Sequence, residues 1–123
     1  MINAKVYQQI YDELSRYMVP EASKLVVYLE YGEASYSFSF FEKINDVYVK
    51  CYDLEGVSDD MLADSFSEID EIVSKERCSG KQPWTNMTMI VDKDGNMHAD
   101  FDYTDLSGGT YQYKKNWKKK YLV

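Results

Sequence analysis

The chain has 123 residues, 45% of them hydrophobic and 28% charged, which is one domain's worth of ordinary globular composition and excludes both two ordinary domains and wholesale disorder. Its 14 basic and 21 acidic residues leave a formal net charge of −7, which argues against a general nucleic-acid binder, because counterion release from phosphates needs a basic face. The two cysteines, Cys51 and Cys78, are isolated in sequence and form neither a C-x-x-C spacing nor a secreted disulfide scaffold.

From Asn3 to Met18 the pattern predicts a helix. Val6, Ile10, Leu14 and Met18 recur every four residues, and Tyr7, Tyr11 and Tyr17 widen the stripe. Asn3 is the candidate N-cap and Pro20 stops the helix. No long apolar run follows Lys5, so a signal peptide is not expected, and the Leu25 to Leu29 stretch is far too short to span a bilayer. The expected compartment is therefore the cytoplasm. Three strands are predicted next, over Lys24 to Tyr31, Ser35 to Glu42 and Val47 to Tyr52. The middle one alternates, with Tyr36, Phe38 and Phe40 on one face and Ser35, Ser37 and Ser39 on the other. Gly32-Glu33 and Ile44-Asn45-Asp46 are turns, and such short connections favour an antiparallel meander.

A second helix opens at Ser58, which can cap it, with Asp59 and Asp60 in a first turn whose dipole favours negative charge. Leu62, Phe66, Ile69 and Val73 form its buried stripe, and Ser79-Gly80 ends it. Asn86 to Val91 and Met97 to Tyr103 form a second hairpin around Asp92-Lys93-Asp94-Gly95-Asn96. After the break at Ser107-Gly108-Gly109 comes a last helix, about Tyr111 to Tyr121. The order α-β-β-β-α-β-β-α describes a single α+β domain over residues 1–123, with an antiparallel sheet and helices packed on one face of it.

The charge is uneven. Residues 111–123 carry five lysines and no acid, which leaves nine basic and 21 acidic groups before them. The five lysines alternate with Tyr113, Trp117 and Tyr121 at spacings a docked helix would use, so a solvated helix face is preferred to a phosphate-binding stripe. Pairing of this tail with the chain's own acids, or with a second copy in a homodimer, stays open.

Catalytic chemistry has few candidates. His98 is the one histidine, and alternation places it with Asp100 and Asp102 opposite Met97, Ala99, Phe101 and Tyr103. A metal site or an acid–base hydrolase built on His98, Asp100 and Asp102 is the alternative to a solvated polar strand face. Asp92-x-Asp94-Gly95-Asn96 lacks the glycine position and closing Glu of a calcium loop and reads as a hairpin turn. No P-loop, nucleophile elbow or dinucleotide fingerprint is present, so neither an enzyme nor a cofactor is expected. What remains is an acidic surface, on the second helix (Asp59, Asp60, Asp64, Glu68, Asp70, Glu71) and the second hairpin (Asp100, Asp102, Asp105), together with 12 tyrosines. Tyr serves interfaces well because it joins a large ring to a polar tip. The matching partner would be a basic protein surface.

Several blocks occur in order over essentially the whole chain. They are Val6-Tyr7-Gln8-Gln9-Ile10-Tyr11-Asp12-Glu13-Leu14, Val26-Val27-Tyr28-Leu29-Glu30-Tyr31-Gly32-Glu33 with the Ser/Phe strand after it, and Gln82-Pro83-Trp84-Thr85-Asn86-Met87-Thr88. Asp94-Gly95, Asp100-Phe101-Asp102-Tyr103 and Trp117-Lys118-Lys119-Lys120-Tyr121-Leu122 complete the set. In these the sequence resembles the YezG/EsaG-type antitoxins of Gram-positive bacteria, immunity proteins that neutralise nuclease toxins exported by the type VII secretion system. The resemblance implies a cytoplasmic, non-enzymatic inhibitor whose partner is a cognate nuclease toxin domain, with no direct contact to nucleic acid or membrane. An orphan member that has lost its toxin is a further alternative. The toxin-facing candidates are Asp59, Asp60, Asp64, Glu68, Glu71, Asp100, Asp102 and Asp105, with Trp84 and exposed tyrosines as anchors. For Trp84 a folding role at the core edge competes with that reading.

Overall fold

The computed structural model describes residues 4–78 and 83–123. The elements run α1 (Ala4–Leu14), β1 (Ala22–Tyr31), β2 (Tyr36–Ile44), β3 (Val47–Lys50), α2 (Asp59–Cys78), β4 (Asn86–Asp92), β5 (Met97–Asp102) and α3 (Tyr111–Tyr121). The order is the expected one. The proposed cap Asn3, the helix stop Ser79-Gly80 and Gln82 lie outside the described residues.

α1 buries Val6, Ile10 and Leu14, the stripe its spacing predicts. It ends four residues before the expected Met18. Pro20 pushes the residue before it out of the helical region, Met18 is already extended, and the intervening Ser15–Tyr17 tighten into a 3-10 turn. That turn carries Tyr17 into the core, where its hydroxyl donates to the Met61 carbonyl at 3.0 Å. β3 also stops early. Instead of continuing to Tyr52, the chain turns at Cys51–Asp53 and drives the Cys51 side chain into the core.

β1 is the centre of an all-antiparallel sheet ordered β3-β2-β1-β4-β5. Both its faces are covered, so Leu25 to Tyr31 is buried without a break and shows no alternation. Between β2 and β3, Asn45 and Asp46 both adopt positive φ (51° and 64°), the backbone that a two-residue hairpin with native twist requires. Between β4 and β5 the Asp92 Oδ1 accepts the amides of Asp94 (2.9 Å) and Asn96 (3.0 Å), and Gly95 takes the left-handed conformation (φ 86°). The Asp-rich loop is therefore a turn whose lead carboxylate serves the backbone.

The helices do not share one face, as the sequence led us to expect. α1 and α2 cover the face that carries Leu25, Val27, Leu29, Phe38, Phe40 and Met89. α3 lies on the other face, where Trp117 packs on Val26, Tyr28 and Phe41. The reason is visible in β2: Phe40 and Phe41 are adjacent, so their side chains point to opposite faces and each face needs a cover.

Candidate functional site

α2 begins where Ser58 Oγ accepts the Met61 amide at 3.2 Å, the capping expected of it. Leu62, Phe66, Ile69 and Val73 point into the core, which turns the rest of the helix to solvent. Asp60, Asp64, Glu68 and Glu71 then fall within an arc of roughly 80°, given about 100° per residue. All four are exposed, as is Asp59, and among the described residues none of the five is in an ion pair. Asp70 differs: it is half-buried and accepts the Tyr31 hydroxyl at 2.6 Å. α2 as a whole carries seven acids against two bases, Lys75 and Arg77.

The β5 acids are placed quite differently. Phe101 leans on the α1–α2 core, so its neighbours Asp100 and Asp102 point to the α3 face. They are not a solvated polar strand face. Tyr121 donates its hydroxyl to Asp100 Oδ2 and Tyr113 donates its hydroxyl to Asp102 Oδ2, both at 2.7 Å. Asp102 Oδ1 also accepts the Thr104 amide (3.0 Å) and hydroxyl (2.7 Å). The bond from Tyr121 holds the Asp100 carboxyl below the usual carboxylate range. Partial burial opposes ionisation of Asp102, but its hydrogen bonds from Tyr113 and Thr104 outweigh it and hold that carboxyl low as well. The tyrosines respond in kind: burial and the Asp100 bond push Tyr121 up to about 12. Asp105 is exposed, and the Ser107 amide, 2.9 Å away, lowers its carboxyl.

The α2 acids and the β5 acids thus sit on opposite faces of the sheet, and no single flat surface presents both. A cleft of about 510 Å³ runs between α3 and β5, lined in part by Asp100, Asp102, Asn116 and Lys120. Tyr113 and Tyr121 are the residues that sequence reasoning left without a role here. Their i, i+4 spacing around Trp117 signalled a docked face, but not which strand would receive it.

Trp84 belongs to the core edge and not to the surface. Its indole is 5% exposed, packs edge-on against Tyr31 (5.4 Å between centroids) and lies 5.8 Å from the Phe101 ring. Arg77 roofs this group, with its guanidinium 4.5 Å from the Tyr31 centroid and its Nε donating to the Trp84 carbonyl at 2.5 Å. A side chain so enclosed cannot anchor a partner without leaving the fold.

His98 Nε2 is 2.8 Å from Asp100 Oδ1, at an exposed position. Asp102 is engaged elsewhere, with Tyr113 and Thr104. Among the described residues no group of three or more His, Cys, Asp or Glu side chains is arranged to hold a metal ion, so His98, Asp100 and Asp102 do not form the metal triad considered from the sequence. Among the same residues no helix is long and apolar enough to cross a membrane.

The fold and its surfaces define a small α+β protein with an acidic helix on one face of the sheet and a lysine-rich helix on the other. The family model described as immunity protein YezG-like matches residues 3–123, and the chain belongs to that family. No curated protein matches it. Membership points to an immunity role exercised by binding a cognate toxin.

Proposed function

We propose that this chain is a cytoplasmic immunity protein that neutralises a type VII-secreted nuclease toxin, with the outer stripe of α2 as its contact surface. The observation that carries this reading is the row Asp60, Asp64, Glu68 and Glu71, exposed and, among the described residues, free of ion pairs. A nuclease must hold a polyanion, so its working cleft is basic. A rigid helix with an acid at nearly every turn can fill such a cleft or block its mouth. α2 has 20 residues and is about 30 Å long, enough to cross a standard interface of at least about 1,200 Å² in total. Asp100 and Asp102 contribute less in this reading, because they already hold α3.

Co-expression with a candidate nuclease toxin domain, scored by survival and co-purification, tests it. Reversing charge at Asp64, Glu68 and Glu71 should abolish both protection and complex formation. Protection that survives those three changes would overturn the assignment of the surface. Death with no complex across a panel of nuclease toxin domains would overturn the nuclease reading itself.

A further inference from the structure

α3 packs over Val26, Tyr28 and Phe41 through Trp117. On the side of β2 and β3 it leaves a second cleft, of about 130 Å³. Lys50 reaches it from the end of β3, and Lys114 and Lys118 reach it from α3. Among the described residues no carboxylate lines it, although the protein's net charge is −7; Glu30 stands beside Lys114. Its floor is aromatic, formed in part by Phe41 and Trp117. Ser37 and Ser39 stand on one face of β2 and line the cleft, and among the described residues neither hydroxyl has a hydrogen-bond partner.

The lysines of α3 therefore divide into groups. Lys114 and Lys118 face this cleft, Lys120 lines the cleft beside β5, and Lys115 and Lys119 line neither. Lys114 is partly committed, since it stands 3.9 Å from Glu30, whose carboxylate also accepts the Tyr28 hydroxyl at 2.5 Å. Lys50 and Lys118 are in no ion pair among the described residues. The ammonium groups of Lys50 and Lys118, that of Lys114 shared with Glu30, and the hydroxyls of Ser37 and Ser39 thus come to one cleft from three elements. Two positive charges without an acidic partner suit a dianion with several acceptor oxygens, and an open cleft of about 130 Å³ is too small for a folded peptide segment.

We propose that the cleft bounded by Lys50, Lys114 and Lys118, with Ser37 and Ser39 at its floor, binds a small oxyanion of the phosphate type. The source is either free phosphate or a phosphomonoester on a larger molecule. The site is separate from the α2 stripe and on the opposite face of the sheet, so it stands or falls independently of the toxin reading.

Titration of the ¹⁵N-labelled full chain with inorganic phosphate, at ionic strength held constant with sodium chloride, tests the proposal. The amides of Ser37, Ser39, Lys50 and Lys118 should shift saturably, with a dissociation constant on the order of 10 mM, because each exposed ammonium contributes no more than about fivefold. The Lys50→Glu/Lys118→Glu variant should bind at least about tenfold more weakly. The Lys115→Glu/Lys119→Glu variant makes the same charge change outside the cleft and should stay within about twofold of wild type. All four side chains are exposed, so both variants keep the fold, as their amide spectra will show. A parallel titration with adenosine monophosphate separates the two sources. Equal affinity identifies the oxyanion alone as the ligand, and tighter binding identifies the phosphomonoester. Linear, unsaturable shifts, or equal weakening in both double variants, would mean diffuse attraction to a lysine-rich helix and would overturn the site.

Discussion

Glu42 is fully buried on β2. Its Oε1 accepts the Val19 amide at 3.0 Å, and its Oε2 has no partner among the described residues. Burial pushes the carboxyl above its usual range, and the Val19 amide only partly opposes that. A group with a raised folded-state pKa contributes stability that is fully present below its unfolded pKa and is lost as pH rises through the folded one. Glu42→Gln keeps the acceptor for Val19 and removes the titration. Urea unfolding should therefore show wild type and variant within about 1 kcal/mol of each other in mild acid, with the variant the more stable at alkaline pH. Asp100 and Asp102 carry the opposite sign. Their lowered carboxyls contribute stability above the ordinary carboxylate range, and it is lost as pH falls through their folded values. Neither effect could be read from the sequence, where Glu42 is one more acid in a half-polar strand and its burial depends on what packs above it.

At the scale of elements, α3 is the piece with the most conditional attachment. Trp117 supplies its apolar anchor, edge-on to Tyr28 and tilted against Phe41, and donates its indole N–H to Thr88 Oγ1 at 2.8 Å. Tyr113 and Tyr121 add the two bonds to β5 carboxylates. Trp117→Ala should cost about 3 kcal/mol in urea unfolding, with faster hydrogen exchange confined to α3 and the strand face beneath it. Because Asp100 and Asp102 must be ionised to accept these bonds at full strength, α3 should also be the first helix to lose exchange protection on acidification. The helix was legible from its Tyr, Trp and Lys spacing, and its limits match the expectation, Tyr111 to Tyr121. Its docking site was not, because periodicity shows that a helix has an apolar side without showing which of two sheet faces will take it.

Across the whole molecule, the sheet separates two oppositely charged helices. It explains why the lysine-rich tail does not neutralise the acidic helix: α2 and α3 lie on opposite faces, and among the described residues the tail lysines form one ion pair, Lys114 with Glu30 at 3.9 Å, while Lys120 acts on Asp100 of β5. An acidic stripe left uncompensated acts mainly on encounter. Association with a basic toxin domain should slow steeply between low and physiological salt. Glu68→Lys with Glu71→Lys should reduce the association rate about tenfold at low salt while changing dissociation less, as stopped-flow mixing would show.

The sequence by itself determined the element order, the apolar stripes of α1 and α2, the turns at Asn45-Asp46 and Asp92 to Asn96, and the division of charge between body and tail. Each of these depends on residues close together in the chain, where side-chain period and turn chemistry act directly. Only the tertiary structure decided that β1 pairs with β4 to join the two hairpins, that α3 covers the second face, that Trp84 is enclosed by Tyr31, Phe101 and Arg77, and that Lys50, Lys114 and Lys118 line one cleft. Those outcomes turn on contacts between distant segments. They are fixed by which buried surfaces fit together once the sheet has formed, and no local pattern records that choice.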